Sequence, residues 1–232
     1  MLYKMNEKIE PLENNFCKAV IFDMDGTLVD STKSDFLAWK RLFSHYGQTL
    51  TFNEYLPMLG IKSAEIVKKY LPVKDEEELQ FALAKKLVFF HEIISANGIQ
   101  PVAYADVFLK QIKQLNVPVA LATSSRRAKM EMVMEKLDLL KYFDTVVTGG
   151  DVKNGKPAPD IFIKAAEKLS IARQDCIVFE DAVNGVQAAK NADMKCVALA
   201  ATQLRDALQE ADLIIDSFKD LSFPNLCFQL NG

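Results

Sequence analysis

Short runs of Val, Ile, Leu, Phe and Ala alternate along much of the chain with longer segments whose apolar residues recur every three or four positions. Polar residues rarely interrupt the short runs, which is typical of strands buried on both faces, as in a parallel sheet. These runs lie at residues 18–22, 117–122, 144–148, 176–180, 196–200 and 213–216. The helix-period segments lie at 104–115, 126–140, 160–169, 182–192 and 203–210. The alternation predicts a doubly wound, Rossmann-like α/β sheet with right-handed crossovers.

The alternation has one gap, which follows the first predicted strand. Between that strand and residue 117 the apolar residues show only helical spacing, in the segments 34–47, 63–71 and 75–98. We therefore predict that a small all-helical cap domain is inserted after the first strand and its loop. The predicted division is an N-terminal extension at 1–15, an α/β core domain at 16–30 and 103–232, and the cap domain at 31–102.

Composition narrows the class of protein. The 232 residues carry a formal net charge of -3, without the basic excess of a nucleic-acid-binding domain. No segment approaches the roughly 18 apolar residues of a membrane span, and the amino terminus lacks the apolar stretch of a signal peptide. The four cysteines form no C-x-x-C pair and are expected to be buried thiols. We expect a cytoplasmic protein that binds neither nucleic acid nor membrane, and nothing requires more than a monomer.

Histidine is scarce, since only His45 and His91 occur. A three-histidine zinc site cannot be built within one chain, and acid–base chemistry is expected to depend on the 31 Asp and Glu residues. Both histidines fall in predicted cap helices, where solvated or packed positions are expected.

An acidic pair directly follows the first predicted strand. In AVIFDMDGTLVDS, residues 19–31, the apolar run leads into Asp23, Asp25 and Gly26. Carboxylates this close repel each other unless a cation lies between them, and period-two spacing places both on one side if the strand continues to residue 25. Gly26 permits a sharp turn and close approach to a ligand. An Asp-Gly turn or helix cap would explain Asp25 and Gly26 but not Asp23.

Hydroxyl groups follow the second predicted strand. Thr123, Ser124 and Ser125 end an apolar run and open a helix. Backbone amides at a helix start, together with a hydroxyl, form an anion site, although Ser and Thr are also common helix caps. Arg126 and Arg127 come next. Their side chains could be solvated on the surface or could contact an anion, and the sequence does not decide between these roles.

A lysine and a second acidic pair follow later in the chain. Lys156 precedes Pro157, which restricts Lys156 to extended backbone and gives it a defined direction, although a single lysine is usually a solvated surface charge. Glu180 ends the strand-like run CIVFE, and Asp181 follows it at the start of another predicted helix. Asp181 could cap that helix, or it could supply the hard carboxylate oxygen that Mg²⁺ prefers.

Together these motifs are stronger evidence for a ligand site than any one of them alone, because each lies at the carboxyl end of a predicted parallel strand. That side of an open α/β sheet is where ligands bind. Paired aspartates, a further acid for a cation, a hydroxyl and a lysine are the groups that phosphoryl transfer requires. The residues thus point to chemistry on a phosphate ester.

The order of the motifs resembles that of the haloacid-dehalogenase superfamily of phosphotransferases. The signatures are D-x-D-G-T at 23–27, the Thr–Ser–Ser cluster at 123–125, K-P-x-P-D at 156–160 and E-D at 180–181. The resemblance extends over nearly the whole chain, and all four motifs in this order are highly specific. The helical insertion further resembles members with a small helical cap, which include β-phosphoglucomutase and sugar-phosphate phosphatases.

The resemblance implies a role for each acidic residue of the motifs. Asp23 would be the nucleophile that forms an aspartyl-phosphate, and Asp25 would protonate the leaving oxygen and then activate water. Mg²⁺ would be held by the Asp23 carboxylate, the Asp25 main-chain carbonyl and the Asp181 carboxylate. Glu180 would support the metal ligands from outside the coordination sphere. Members with dehalogenase activity lack the second aspartate, so Asp25 favours phosphate over halide.

The resemblance also implies how the phosphoryl group is bound. Thr123 and Lys156 would hold the transferring group, with Gly26 and Ser124 as further phosphate-binding residues. The implied substrate is a small phosphorylated metabolite, and a sugar phosphate is expected.

The activity within the family is decided by cap residues. In β-phosphoglucomutase a histidine in the first cap helix and an arginine in a cap loop serve the mutase cycle. An ungapped alignment places Asp35 at the histidine and Lys62–Ser63 at the arginine loop. We therefore predict hydrolysis, with a β-phosphoglucomutase-type phosphotransferase as the alternative. Asp35, Lys62 and Ser63 are candidate substrate contacts, with Lys62 suited to a second anionic group, whereas Trp39 is expected in the cap core.

Two alternatives come from other classes of protein. A receiver-like signalling module also combines acids, a hydroxyl and a lysine on a doubly wound sheet, but the spacing of Asp23 and Asp25 and the helical insertion argue against it. A non-catalytic phosphate-binding relative is the second alternative. It is disfavoured because every proposed catalytic position holds a competent residue.

Overall fold

The computed structural model describes residues 17–219 and 221–231, so the predicted N-terminal extension at 1–15 lies outside the described residues. A six-stranded sheet forms the centre, in the order β3-β2-β1-β4-β5-β6, and all neighbouring strands are parallel. The strands are β1 (Ala19–Phe22), β2 (Val119–Thr123), β3 (Thr145–Thr148), β4 (Cys176–Glu180), β5 (Lys195–Leu199) and β6 (Leu213–Ile215). The predicted doubly wound, Rossmann-like sheet is confirmed.

The helices fall into two groups. The first group lies between β1 and β2 and consists of α1 (Thr32–His45), α2 (Phe52–Tyr55), α3 (Ser63–Tyr70) and α4 (Glu76–Asn97). The second group follows α4 and consists of α5 (Ala105–Gln114), α6 (Arg127–Lys136), α7 (Asp160–Leu169), α8 (Val183–Asn191) and α9 (Phe223–Asn231). We refer to residues 32–97, which hold the first group, as the helical insertion.

Apolar layers cover both faces of the sheet, and this explains why the strands read as continuous apolar runs. Val20 and Phe22 face the layer that includes α5, α6 and α9, whereas Ala19 and Ile21 face α7 and α8. Phe22 stacks on Phe179 of the adjacent β4 with ring centroids 4.7 Å apart. The alternation along β1 thus fixes its register between two buried faces.

The topology positions a ligand site beside β1. Strands β2 and β3 lie on one side of β1, and β4, β5 and β6 lie on the other. The strand order therefore reverses between β1 and β4, and a crevice opens at the carboxyl ends of these strands. The motif at 23–27 directly follows β1, and the motif at 180–181 begins with the last residue of β4.

The helical insertion has an apolar cluster of its own, in which Trp39 and Leu42 of α1 pack against Leu79 and Leu83 of α4. Both histidines are exposed on its helices, as expected. Asp30 N donates to Gln100 O at 3.0 Å, and this bond joins the two segments that connect the insertion to the sheet. The predicted domain boundaries fall in these segments, and the division into a core and a cap domain stays a prediction.

Two predicted elements differ from the structure. Residues 203–210 form no α-helix but a single 3₁₀ turn at Arg205–Leu208, because Leu208 is buried whereas Leu204 is 82% exposed, so no apolar stripe exists. The segment 126–140 is helical only to Lys136, since Asp138 adopts a left-handed φ of 54°.

Two helices were not predicted as separate elements, the four-residue α2 and the longer α9. In α9 the side chains of Phe223, Leu226, Cys227 and Leu230 are buried, and their i, i+3, i+4, i+7 spacing is the signal that could have revealed the helix.

Two expectations from composition concern the described part of the chain. Its cysteines, Cys17, Cys176, Cys196 and Cys227, are free and buried, as predicted. Within the same residues, no helix is both long and apolar enough to cross a membrane.

Candidate active site

The predicted site residues meet at the carboxyl side of the sheet, beneath the helical insertion. Asp23 continues β1, and its backbone N–H still donates to Phe179 O at 2.9 Å. Thr123 ends β2 and Glu180 ends β4. A cavity at this point is lined by polar side chains from both the sheet and the insertion. They are Asp23, Asp25, Asp35, Tyr55, Ser63, Lys86, Thr123, Ser124, Ser125, Lys129, Glu180 and Asp181.

Four buried charged residues surround the strand ends, and we call Asp23, Lys156, Glu180 and Asp181 the strand-end cluster. Lys156 Nζ donates to Asp23 Oδ1 and to Glu180 Oε1, both at 2.6 Å. The lysine is 1% exposed. Burial alone would lower the pKa of Lys156, but Asp23 and Glu180 outweigh it and raise that pKa above its ordinary value. Lys156 therefore stays a cation.

Asp181 is held by hydroxyl groups and by a close backbone turn. Thr27 Oγ1 donates to Asp181 Oδ1 at 3.0 Å, and Thr202 Oγ1 donates to Asp181 Oδ2. Gly26, with φ of 86°, lies so close to this carboxylate that an added Cβ would overlap it. The predicted turn at Gly26 is therefore required both by the backbone conformation and by the position of Asp181.

Glu180 is fixed by backbone amides and by a second glycine. Its Oε2 accepts from Asp181 N at 2.7 Å and from Ala182 N at 2.9 Å. A Cβ at Gly185, in the first turn of α8, would overlap the Glu180 carboxylate. Backbone donors thus fix the position of the Glu180 carboxylate.

The strand-end cluster fits a divalent cation. Carboxylate oxygens of Asp23, Glu180 and Asp181 lie within 4.8 Å of one another. Among the residues that the structure describes, Lys156 is the cation that pairs with this group, through Asp23 and Glu180. Burial, followed by the effects of Lys156 and Glu180, leaves the pKa of Asp23 raised to about 7. Burial and the neighbouring acids Glu180 and Asp23 raise the pKa of Asp181 well above its ordinary value. Such a site needs further positive charge, and a buried set of oxygen ligands suits Mg²⁺.

Glu180 lies in the same group of carboxylates as Asp23 and Asp181, whereas the sequence predicts it outside the coordination sphere. The side chain of Asp25 does not belong to this group. Its predicted contribution through the main-chain carbonyl stays a prediction.

Asp25 lies in the same cavity but binds other partners. Strand β1 ends at Phe22, so the period-two spacing does not extend to residue 25. The Asp25 carboxylate accepts from Ser31 Oγ at 2.5 Å, Ser125 Oγ at 2.6 Å and Lys129 Nζ at 2.8 Å. These donors hold the carboxylate at the cavity wall.

Lys129 connects Asp25 to the helical insertion, and we call Asp25, Asp35, Lys86 and Lys129 the bridging cluster. Lys129 Nζ lies 2.7 Å from Asp35 Oδ1, and Lys86 Nζ pairs with the same oxygen. Tyr55 OH donates to Asp35 Oδ2 at 3.1 Å. Burial would raise the pKa of Asp35, but Lys129 and Lys86 outweigh it and hold this pKa well below its usual range.

The predicted hydroxyl motif also lies at the cavity. Thr123 is buried, and its Oγ1 accepts from Ser125 N at 3.1 Å. Ser124 Oγ donates to Gly60 O of the helical insertion. Thr123 thus faces the strand-end residues, while the Ser124 hydroxyl joins the sheet to the insertion.

Lys62 does not line the cavity with Ser63. Its Nζ donates to Val152 O at 2.9 Å and to Lys153 O at 3.2 Å. The structure therefore does not support the predicted role of Lys62 as a cation over the site, because backbone carbonyls of the loop after β3 occupy its ammonium group.

Other side chains named from the sequence contribute less to the cavity. Arg126 and Arg127 form exposed contacts with Gln80 and Asp151. Trp39 is buried in the apolar cluster of the insertion, as predicted, and it also contributes to the cavity wall.

Several site residues were missed from the sequence, namely Tyr55, Lys86, Lys129, Gly185 and Thr202. Lys86 carried a readable signal, because it occupies the helical stripe formed by Leu79, Leu83 and Phe90. A lysine on an apolar stripe needs a buried partner. Thr202 lies in the loop after β5, and its sequence context carried no such signal.

Comparisons with known proteins agree with this geometry. The family model described as haloacid dehalogenase-like hydrolase matches residues 20–199. A phosphorylated carbohydrates phosphatase of Thermotoga maritima is 34% identical over 205 residues, which cover 85% of this chain and 92% of that protein. A fructose-1-phosphate phosphatase of Escherichia coli is 32% identical over 178 residues, covering 77% and 94%. The crystal structure of a β-phosphoglucomutase from Clostridium difficile superposes with a TM-score of 0.82 and 27% identity, covering 92% and 97%.

Proposed function

The chain belongs to the haloacid dehalogenase-like hydrolase family, and we propose that it is a magnesium-dependent phosphatase of phosphorylated carbohydrates that forms an aspartyl-phosphate. One observation carries the proposal. Carboxylates of Asp23, Glu180 and Asp181 lie within 4.8 Å of one another beside a buried lysine. Relatives named as phosphatases of phosphorylated carbohydrates support the substrate class.

Asp23 and Asp181 would hold the magnesium ion, with Glu180 beside them. The bound ion would offset negative charge on the phosphoryl oxygens. Thr27 and Thr202 fix the direction of the Asp181 carboxylate, and Gly26 leaves room for it.

Asp23 would attack the phosphorus atom of the substrate in line with the ester oxygen. Lys156 Nζ fixes one oxygen of this carboxylate. As the bond between Asp23 and phosphorus forms, the bond to the ester oxygen breaks, and Asp25 gives that oxygen a proton. Asp25 then takes a proton from water, which attacks the phosphorus atom and releases inorganic phosphate and Asp23. The donors Ser31 and Ser125 hold Asp25 for both steps.

Thr123, Lys156 and backbone groups near Gly26 and Ser124 would bind the phosphoryl oxygens. Thr123 lies at the end of β2, where the chain turns into α6. Backbone amides at such a turn favour an anion.

A β-phosphoglucomutase-type reaction is the second candidate, because a mutase is among the structural neighbours. A mutase must return its phosphoryl group to a sugar phosphate, whereas a phosphatase needs only water. In this chain Asp35 replaces the histidine of the mutase cycle, and its carboxylate is engaged by Lys86 and Lys129. Conversion of β-glucose 1-phosphate into glucose 6-phosphate without release of phosphate would favour the mutase.

The direct test is phosphate release from a panel of phosphorylated sugars and polyols, with Mg²⁺ and with EDTA. We expect release only with Mg²⁺. Intact-mass spectrometry after rapid quenching should detect a phosphorylated protein, and Asp23→Asn should abolish this species. Asp25→Asn should slow turnover more than it reduces trapping. A folded protein that hydrolyses no member of the panel would contradict the proposal.

A further inference from the structure

The bridging cluster leaves no cation free for a second anionic group of the substrate. Among the described residues, the lysines that line the cavity are Lys86 and Lys129, and no arginine lines it. Both ammonium groups pair with Asp35, and Lys129 also pairs with Asp25. Both lysines are therefore engaged by carboxylates of the cluster, and both share Asp35.

The hydrogen-bonding groups of this cluster match a hydroxyl group. Among the described residues, Lys86 Nζ donates a hydrogen bond to Asp35 alone, although an ammonium group has three donors. Its Nζ lies 5.0 Å from the ring centroid of Trp39 and 5.5 Å from that of Phe90. A hydroxyl can accept from Lys86 and donate to Asp35, since it both donates and accepts.

A carboxylate or second phosphate at the same position would only accept. It would lie against the Asp35 carboxylate, which already receives Lys86, Lys129 and Tyr55. Like charges placed together in a buried site disfavour binding of the wrong ligand. The cluster thus combines an attractive element for a hydroxyl with a repulsive one for an anion.

We propose that Asp35 is a specificity-determining residue, which together with Lys86 restricts the cavity to phosphate monoesters of uncharged polyols and sugars. This inference rests on the proposed function and names the class of leaving group. An unpaired lysine over the site, as expected for Lys62 from the sequence, would favour substrates with a second anionic group. Asp35 is proposed to disfavour them.

The test uses pairs of phosphate esters that differ only in a CH₂OH or a COO⁻ group. Glycerol 3-phosphate is paired with 3-phosphoglycerate, erythritol 4-phosphate with 4-phosphoerythronate, and sorbitol 6-phosphate with 6-phosphogluconate. We expect the wild-type protein to favour the alcohol in each hydrolysed pair by about tenfold or more in kcat/KM. Equal hydrolysis of alcohols and acids would overturn the inference while leaving the proposed function intact. No hydrolysis of any ester would contradict both.

Asp35→Asn tests the role of the charge. It leaves Lys86 without a carboxylate partner and Lys129 paired with Asp25 alone, so the preference for the alcohol should fall about tenfold or reverse. The double variant Asp35→Asn/Lys86→Met removes the unpaired lysine together with the carboxylate and leaves Lys129 paired with Asp25. Its alcohol-to-acid ratio should lie between those of the wild type and Asp35→Asn. Asp138→Asn, the same change in an exposed ion pair with Lys141, is the matched control. A merely structural cluster would lower kcat/KM for both esters and leave their ratio unchanged, which would overturn the inference.

The double variant and Asp35→Glu keep the test informative if Asp35→Asn does not fold, as judged by circular dichroism. Asp35→Glu retains the negative charge and should retain the preference for the alcohol. A ratio for Asp35→Glu that shifts towards the acids would overturn the inference, because the carboxylate would still be present.

Discussion

Two buried ionic clusters share one cavity, and they differ in charge balance. The strand-end cluster has three carboxylates, those of Asp23, Glu180 and Asp181, and one lysine, Lys156. The bridging cluster has two carboxylates and two lysines. The first cluster is therefore short of positive charge, whereas the second has a carboxylate partner for each of its lysines.

The two clusters shift aspartate pKa values in opposite directions. Burial is the largest influence on both Asp23 and Asp35, and in both it raises the pKa. One lysine beside Asp23 does not offset burial and the neighbouring acids, so its pKa rises to about 7. Two lysines beside Asp35 outweigh burial, so its pKa falls. The number of neighbouring cations thus decides whether the pKa of the buried aspartate is raised or lowered. The strand-end cluster is the one that lacks positive charge and would gain from a bound cation.

The largest expected effect comes from Asp23→Asn in the strand-end cluster. Loss of the proposed nucleophile should reduce kcat by about 10⁴-fold or more, as for nucleophiles of other covalent enzymes. Steady-state phosphate release with saturating Mg²⁺ measures this, and an unchanged circular dichroism spectrum controls for folding. A loss below about tenfold would mean that Asp23 does not carry the reaction.

The second prediction concerns stability, for which the larger effect is expected in the bridging cluster and not in the strand-end cluster. In EDTA at neutral pH, Asp35→Asn should lower the free energy of unfolding by about 3–5 kcal/mol, because it leaves two buried lysines without their shared carboxylate. Asp23→Asn should cause no such loss, because it relieves an excess of negative charge. Urea unfolding measures both, and the exposed Asp138→Asn should change stability by less than about 0.5 kcal/mol. Equal losses for both site variants would remove the contrast.

The third prediction concerns pH in magnesium-free buffer. The pKa of Asp23 is about 7 in the folded protein and ordinarily 3.8, so the folded state holds this proton more tightly than the unfolded state. Wild type should therefore lose stability relative to Asp23→Asn as pH rises from about 4 to about 7. Asp35 has a lowered pKa, so its stabilisation is present above its ordinary pKa and is lost as pH falls.

Urea unfolding from pH 3 to pH 8 checks both signs. The stability difference between wild type and Asp35→Asn should shrink below about pH 4. Saturating Mg²⁺ should remove the effect assigned to Asp23, because the bound cation favours the ionised carboxylate. Parallel stability curves for the two variants would contradict the opposite pKa shifts.

The sequence predicted the sheet well because its strands are buried on both faces. β1 and β4 read as continuous apolar runs, and both were found within one residue of their predicted bounds. Helices that pack on one face of the sheet were harder to predict from the sequence. The 203–210 segment lacks a second buried apolar position to form a stripe, and α9 is short and carries a proline at its second residue.

The same distinction applies to the site. Asp23 and Glu180 follow strands that could be recognised, and parallel strands bring their ends together. Lys86 and Lys129 come from helices on different sides of the cavity, and their contact depends on how the helical insertion lies over the sheet. No local pattern fixes that placement, so the bridging cluster could not be predicted from spacing alone.

Thr202 gives the smallest expected effect, and it tests whether the strand-end cluster is organised for a cation. Its hydroxyl donates to the Asp181 carboxylate from the loop after β5. Loss of such an outer hydrogen bond to a metal ligand weakens metal affinity by about 10–100-fold in other proteins. Thr202→Val should accordingly weaken Mg²⁺ binding by about tenfold in isothermal titration calorimetry, and Thr202→Ser should retain wild-type affinity. Because Thr202 does not contact the bridging cluster, the alcohol-to-acid ratio should not change. A shift of that ratio together with unchanged Mg²⁺ affinity would show that the two clusters do not act separately.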